Sequence, residues 1–257
     1  SKVFGEAGVL QESVIICARR AATPPKVTIY TSVDHTDEPK IRIVDQSQVA
    51  TGDFIFIPAT EKDGNAVQWM QRATCSLEEL GLQVSTGRVV DFRCREYLVQ
   101  EAGHQSMPML YQSNVTSNSQ TIHPLASLKK PQWLNVCDEA ADKLLVPPGN
   151  YVLVKRFSSK EERRRIVAGI WRSQVPVGFD NKLNYFHVNG SGIDETLAVG
   201  LAVWLNSAQV DDYFRVFSGH TQVNAGDLRQ LQYPTRAQLQ QLAKFDGSPE
   251  DAVEYVL

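Results

Sequence analysis

The sequence predicts an α+β fold with a β-rich N-terminal part, a mixed central region and a helical C-terminal third. Three observations carry that expectation. Short runs of alternating polar and apolar residues dominate up to about residue 60. Isolated strand patterns and polar, turn-rich stretches share the middle. From Thr196 onward, apolar residues recur at helical spacing between clear capping signals.

In chain order, Val9 to Arg19 reads as a strand with the core Ser13-Val14-Ile15-Ile16-Cys17, ended by Pro24-Pro25. Lys26 to Thr31 and Lys40 to Val44 alternate and suggest a hairpin-like pair, and Asp53 to Pro58 is another short apolar run. Asn65 to Ala73 has helical spacing through Val67 and Met70. Ser76-Leu77-Glu78-Glu79 is a capping-box pattern, with Gly81 as its stop. Gly87 to Arg95 returns to a period of two, which would put Asp91, Arg93 and Arg95 on one strand face. Glu101 to Lys130 is polar and turn-rich. Pro147-Pro148-Gly149 turns the chain into a strand at Tyr151 to Val154. Thr196 to Phe217 reads as one amphipathic helix. Thr235 caps another that carries Leu239, Leu242 and Phe245, and Ser248-Pro249-Glu250-Asp251 opens a last one.

The 257 residues are 42% hydrophobic and 21% charged, with 16 Gly and 12 Pro, which excludes collagen-like, disordered and coiled-coil chains. No apolar run is long enough for a membrane span, so no membrane partner is expected. The opening Ser1-Lys2-Val3 lacks a signal-peptide pattern, and the chain reads as a portion of something longer. Cys17, Cys75, Cys94 and Cys137 contain no C-x-x-C pair, which points to buried, reduced thiols in the cytoplasm rather than a zinc site.

The charge is unevenly placed. Between Tyr151 and Arg172 lie seven Lys or Arg against Glu161 and Glu162, a surplus of five in a chain whose net charge is −3, so the remainder carries −8. Lys155, Arg156, Ser158, Ser159, Lys160, Arg163, Arg164 and Arg165 are the candidates for phosphate contact in this segment. A solvated turn with internal Glu–Arg pairs would use the same residues. Arg93 and Arg95 could read base edges or belong to an internal Asp–Arg network. His220, Thr221 and Gln222, in Gly219 to Asn224, offer polar groups suited to a groove, although Asn224 or Asp227 would serve equally as a helix cap.

There is no G-x-G-x-x-G, no phosphate-binding G-x-x-x-x-G-K-[ST], no G-x-S-x-G and no H-E-x-x-H, and the five histidines lack ligand spacing. No catalytic, cofactor-binding or metal-binding residue is expected.

The stretch from Asn206-Ser207 through Asp211, Tyr213-Phe214-Arg215 and Phe217, then Gly219 to Asn224, Asp227-Leu228-Arg229, Leu231 and Tyr233-Pro234, resembles the C-terminal region of gamma-class N6-adenine DNA methyltransferases of type II restriction–modification systems. Ser85 to Arg93, Tyr151 to Arg164 and Val9 to Ile15 are similar to the same family, in the same order. The end of the chain also resembles target-recognition domains of type I specificity subunits. The resemblance implies a parent enzyme that flips an adenine out of the duplex and methylates its amine with S-adenosylmethionine. The family's cofactor loop and N-P-P-Y motif are absent here, so this portion would be inactive alone. Residues 1–60 would be a β-rich remnant of the catalytic domain and 61–257 the DNA target-recognition domain. Its partners would be double-stranded DNA and the missing N-terminal catalytic domain, in the cytoplasm. Two competing readings are an enzyme in its own right and a non-enzymatic protein-interaction or specificity-subunit module with a basic docking surface.

Overall fold

The computed structural model describes residues 14–18, 26–32, 36–51, 54–116, 119–158, 162–219 and 221–257. The strand expected at Val9 to Arg19 lies largely outside these, and its described part, 14–18, forms no strand. The first pair is as expected. Strand β1 (Lys26–Thr31) runs antiparallel to β2 (Lys40–Asp45), with Lys26 opposite Asp45. Alternation turns Ile29 and Val44 inward against Val49 and leaves Tyr30, Ile41 and Ile43 on the open face. Helix α1 (Gln46–Val49) leads to β3 (Ala50–Thr51) and β4 (Phe54–Ile55). The apolar run up to Pro58 thus forms only the two-residue strand β4, followed by one more bond from the Phe56 amide to Val49 O (2.7 Å); Pro58 has no N–H for a ladder, and the Phe56 ring packs against Tyr213 and Phe217.

Helix α2 (Glu61–Met70) begins four residues before the expected start. Thr60 accepts from the Asp63 amide and donates its own amide to the Asp63 carboxylate, a capping box whose first turn is too polar to show in the apolar spacing. Ser76 and Glu79 make the reciprocal bonds of a capping box, yet they close a turn that ends at Gly81 (φ +70°) rather than a helix.

The centre is built from β5 (Gln83–Thr86), β6 (Leu98–Val99), β7 (Ser106–Leu110), β8 (Trp133–Asn135), helix α3 (Glu139–Asp142), β9 (Leu145–Val146), β10 (Gly149–Lys155), β11 (Ala168–Ser173), β12 (Val177–Phe179) and β13 (Leu183–His187). These make a four-stranded sheet, β11-β10-β13-β5, and a five-stranded one, β6-β8-β7-β12-β9, in which β7 and β12 are parallel. β7 falls inside the stretch that read as polar loop. Tyr151 to Val154 of β10 have no exposed surface. Val152 and Val154 face the helices, while Tyr151 and Leu153 face a second cluster with Phe179 and Tyr185.

Gly87 to Arg95 is not a strand. Val89 alone forms a bridge, to Asp180, and residues 95–97 form a 3₁₀ turn. The amides of Arg93 and Cys94 fold back onto the Val90 carbonyl, and Asp91 accepts from the Phe92 amide. Asp91, Arg93 and Arg95 consequently share no strand face.

The C-terminal third is helical, as expected: α4 (Glu195–Leu205), α5 (Ala208–Phe217), α6 (Ala225–Gln230), α7 (Arg236–Leu242) and α8 (Pro249–Val256). The single helix expected over Thr196 to Phe217 is two. Asn206 breaks it by turning its amide to the edge strand β11, where it accepts from Ala168 N (3.0 Å) and donates to Ala168 O (2.9 Å). Ser207 then caps α5 through the Val210 amide. Thr235 and Ser248 cap α7 and α8 as their patterns suggested, with Phe245 past the end of α7. α7 crosses α4 at Gly200, where a Cβ would lie 1.9 Å from the Leu239 carbonyl oxygen. Among the four cysteines only Cys94 is buried; Cys17 and Cys137 are exposed. Among the described residues, no helix is long and apolar enough to cross a membrane.

Candidate nucleic-acid interface

Beyond the last paired residue of β10 the chain stays extended, and the ends of neighbouring elements hold it on both sides. The Arg156 amide donates to Lys182 O (3.0 Å), and Arg156 O accepts from Val223 N (2.7 Å). Phe157 forms an antiparallel bridge with Gln222. The Arg156 guanidinium donates to Asn181 O (3.2 Å), whose own amide donates to Val89 O (2.8 Å). Asn184 donates to Val223 O and accepts from Thr86 Oγ1. At Gly87 the chain passes so close that a Cβ would lie 2.2 Å from Asp180 O, which is why this block carries glycine. The Ser85-Thr86-Gly87 block, the start of the basic segment and the Thr221-Gln222 loop, far apart in sequence, therefore meet at one end of the four-stranded sheet.

The surface they form carries Lys155 and Arg156, both half-buried, Phe157 at 42% exposure, exposed Thr221 and half-buried Gln222. It also carries Lys182, a residue that the sequence did not single out. Lys182 sits alone in a turn between two strands, with no motif to mark it. Behind it lies Asp180, 1% exposed, whose carboxyl burial pushes above the usual carboxylate range; its Oδ1 accepts from the Lys182 amide. Asp91, in contrast, is held low by its hydrogen bond from Lys130, with the Lys182 charge adding to this.

The remaining candidates separate. Ser158 and Arg165 cannot face a phosphate. They are 4% and 0% exposed, Arg165 Nε donates to Ser158 Oγ (3.1 Å), and its guanidinium lies over the Phe214 ring. The Asp211 carboxylate pins the same loop by accepting from the amides of Arg165 (2.6 Å) and Ile166 (3.1 Å), while Arg215 braces its other oxygen. Arg164 is half-buried, donating to Asn206 O and pairing with Glu250. Arg163 stays exposed beside a cleft that includes Lys62 and Asp212. Arg93 and Arg95 are exposed, and Arg93 lies 5.5 Å from the centre of the Phe92 ring. Ser159, Lys160 and His220 lie outside the described residues.

One arrangement resembles a nucleophile–base pair. Ser85 Oγ lies 2.8 Å from His187 Nε2. The Gly190 amide, however, donates to His187 Nδ1 (3.0 Å), so Nε2 carries the ring proton and donates it to the serine. Burial, helped by Arg88 and Arg229, lowers the His187 pKa and keeps the ring neutral. A base that is already a donor toward the hydroxyl cannot withdraw its proton, so the pair is a strut between β5 and β13.

No protein-family model matches the chain. The type II methyltransferase M.PstI of Providencia stuartii is 44% identical over 250 residues, covering 93% of this chain and 49% of that protein. The type II methyltransferase M.BsuBI of Bacillus subtilis is 40% identical over 255 residues, covering 95% of this chain and 50% of that protein. Among solved structures, the type IIG restriction endonuclease BpuSI aligns at a TM-score of 0.48 and 12% identity, over 85% of this chain and 30% of that one, too loosely to argue from. The chain is a homologue of the type II methyltransferases and spans about half the length of the curated relatives it matches.

Proposed function

We propose that this chain is the part of a site-specific N6-adenine DNA methyltransferase that recognises the target sequence in duplex DNA. Residues 61–257 form the recognition domain, and residues 1–60 belong to the catalytic domain, whose remainder binds S-adenosylmethionine and transfers the methyl group. The enzyme acts in the cytoplasm, where the DNA is. One observation carries the reading: segments remote in sequence that hold Lys155 and Arg156, Lys182, and Thr221 and Gln222 are hydrogen-bonded together at one end of the four-stranded sheet, with exposed Phe157 bridged to Gln222, on an otherwise acidic chain. Cations neutralise phosphates and set the register, while side-chain amides and hydroxyls supply hydrogen bonds to base edges. The type II methyltransferase relatives support the same reading.

The test is fluorescence anisotropy with a pool of random duplexes at two salt concentrations, followed by sequencing of the bound fraction. Salt-dependent binding that enriches a short motif is expected. Lys155→Ala combined with Lys182→Ala should weaken all sequences alike and flatten the log–log salt slope by about one per cation removed. Absence of binding at low salt would refute the proposal. With labelled S-adenosylmethionine the chain alone should transfer no methyl group.

A further inference from the structure

An aromatic ring at the end of a buried strand ordinarily turns inward. Phe157 does not: Tyr151 to Val154 are wholly covered, yet this residue keeps 42% of its surface exposed. Its position is nonetheless fixed. The Lys155 amide is bonded to Val167 O, Arg156 is bonded on both edges, Phe157 itself bridges Gln222, and the next residue, Ser158, is buried against Arg165. Its neighbours in the chain and the ladder suit a nucleic-acid contact: Lys155 and Arg156 precede it, the Arg156 amide is bonded to Lys182 O, and Phe157 bridges Gln222 next to exposed Thr221. An exposed apolar side chain on a strand end held by hydrogen bonds, with cations next to it in the chain, suits a flat apolar partner between charged rails. Stacked bases between phosphates have that form.

We propose that Phe157 is a wedge that presses into a base step of the bound duplex, an inference that rests on the DNA-recognition reading above. It partly unstacks one step, and because pyrimidine–purine steps open most easily, it adds sequence preference without a hydrogen bond. Its neighbours supply phosphate contacts and base-edge contacts, and Phe157 sets where along the duplex they apply.

The experiment uses the whole chain and duplexes recovered from the random pool, with 2-aminopurine placed at successive positions. This base brightens when unstacked, and on the reading above residues 61–257 carry no methyl-transfer machinery that would add an adenine-flipping signal. On binding the unaltered protein, brightening is expected at one step, with a pyrimidine–purine pair enriched there. Phe157→Ala should abolish the brightening, weaken binding by roughly 5- to 150-fold and lose the enrichment at that step, while Phe157→Tyr keeps all three. Tyr255→Ala, which removes another exposed ring, should change none of them. If the unaltered protein binds DNA with no brightening at any position, the wedge is refuted even should Phe157→Ala fail to fold. Equal affinity and brightening in Phe157→Ala refute it as well. In both cases the recognition reading survives, whereas failure of the unaltered protein to bind DNA would remove both.

Discussion

Replacing Asp211 with alanine tests how the basic segment is held. The carboxylate is 5% exposed and accepts from the amides of Arg165 and Ile166, two residues with no exposed surface themselves, and from Arg215 Nε. Alanine leaves both amides buried without that acceptor. Each such loss costs about 1–3 kcal/mol. Arg215 keeps bonds to the carbonyls of Glu162 and Arg163 and part of its hydration, so its contribution is discounted. The expected loss is about 3 kcal/mol, or roughly 6–12 °C in Tm for a chain of this size. Urea unfolding followed by tryptophan fluorescence, with the m-value unchanged, measures it. Asp211→Asn, which retains an acceptor for the amides, should lose less. A loss below about 1 kcal/mol in Asp211→Ala would refute the claim that these bonds hold the loop.

Three further outcomes follow from the same packing. Gly200→Ala places a methyl group on the Leu239 carbonyl, so α7 must shift; calorimetry should show a loss of about 3 kcal/mol or more. Asn206→Ala uncovers both backbone groups of Ala168 on the edge strand, and hydrogen exchange should show the Ala168 amide losing protection, with a stability loss of about 2–4 kcal/mol. His123 and His187 both have pKa values lowered from 6.5, chiefly by burial, so between pH 6.5 and the lower folded values the unfolded chain binds more protons than the folded one. Stability should therefore be full above pH 6.5 and decline as pH falls below it, a slope that equilibrium unfolding between pH 8 and 5 would show and that His187→Gln should reduce.

Local signals were the legible part. The β1–β2 pair, the caps at Thr235 and Ser248 and the strand after Pro147-Pro148-Gly149 rest on backbone preferences within a few residues, and each formed as read. The errors fell where a distant partner outweighed the local pattern. Gly87 to Arg95 alternates like a strand, but Lys130 draws Asp91 out of the ladder and Asp180 offers a single bridge. Thr196 to Phe217 has a continuous apolar stripe, but Asn206 satisfies an edge strand far from it in sequence. The charge asymmetry singled out residues 151–172, yet charge alone does not say which arginines reach water. Arg165 is buried against Phe214 and Ser158, and Arg164 is tied to Asn206 and Glu250.

By itself the sequence determined the α+β order of elements, the caps at Thr235 and Ser248, the concentration of positive charge and the kinship with type II methyltransferases, because each is written in neighbouring residues or in residue-by-residue likeness. Only the tertiary structure decided that the segments of Arg156, Lys182 and Gln222 are hydrogen-bonded together, that Phe157 is exposed where it bridges Gln222, and that His187 donates to Ser85 instead of accepting from it. Those outcomes depend on hydrogen bonds between strands and loops distant in the chain, and whether a cation faces solvent or a ring is settled by which surfaces the core brings together.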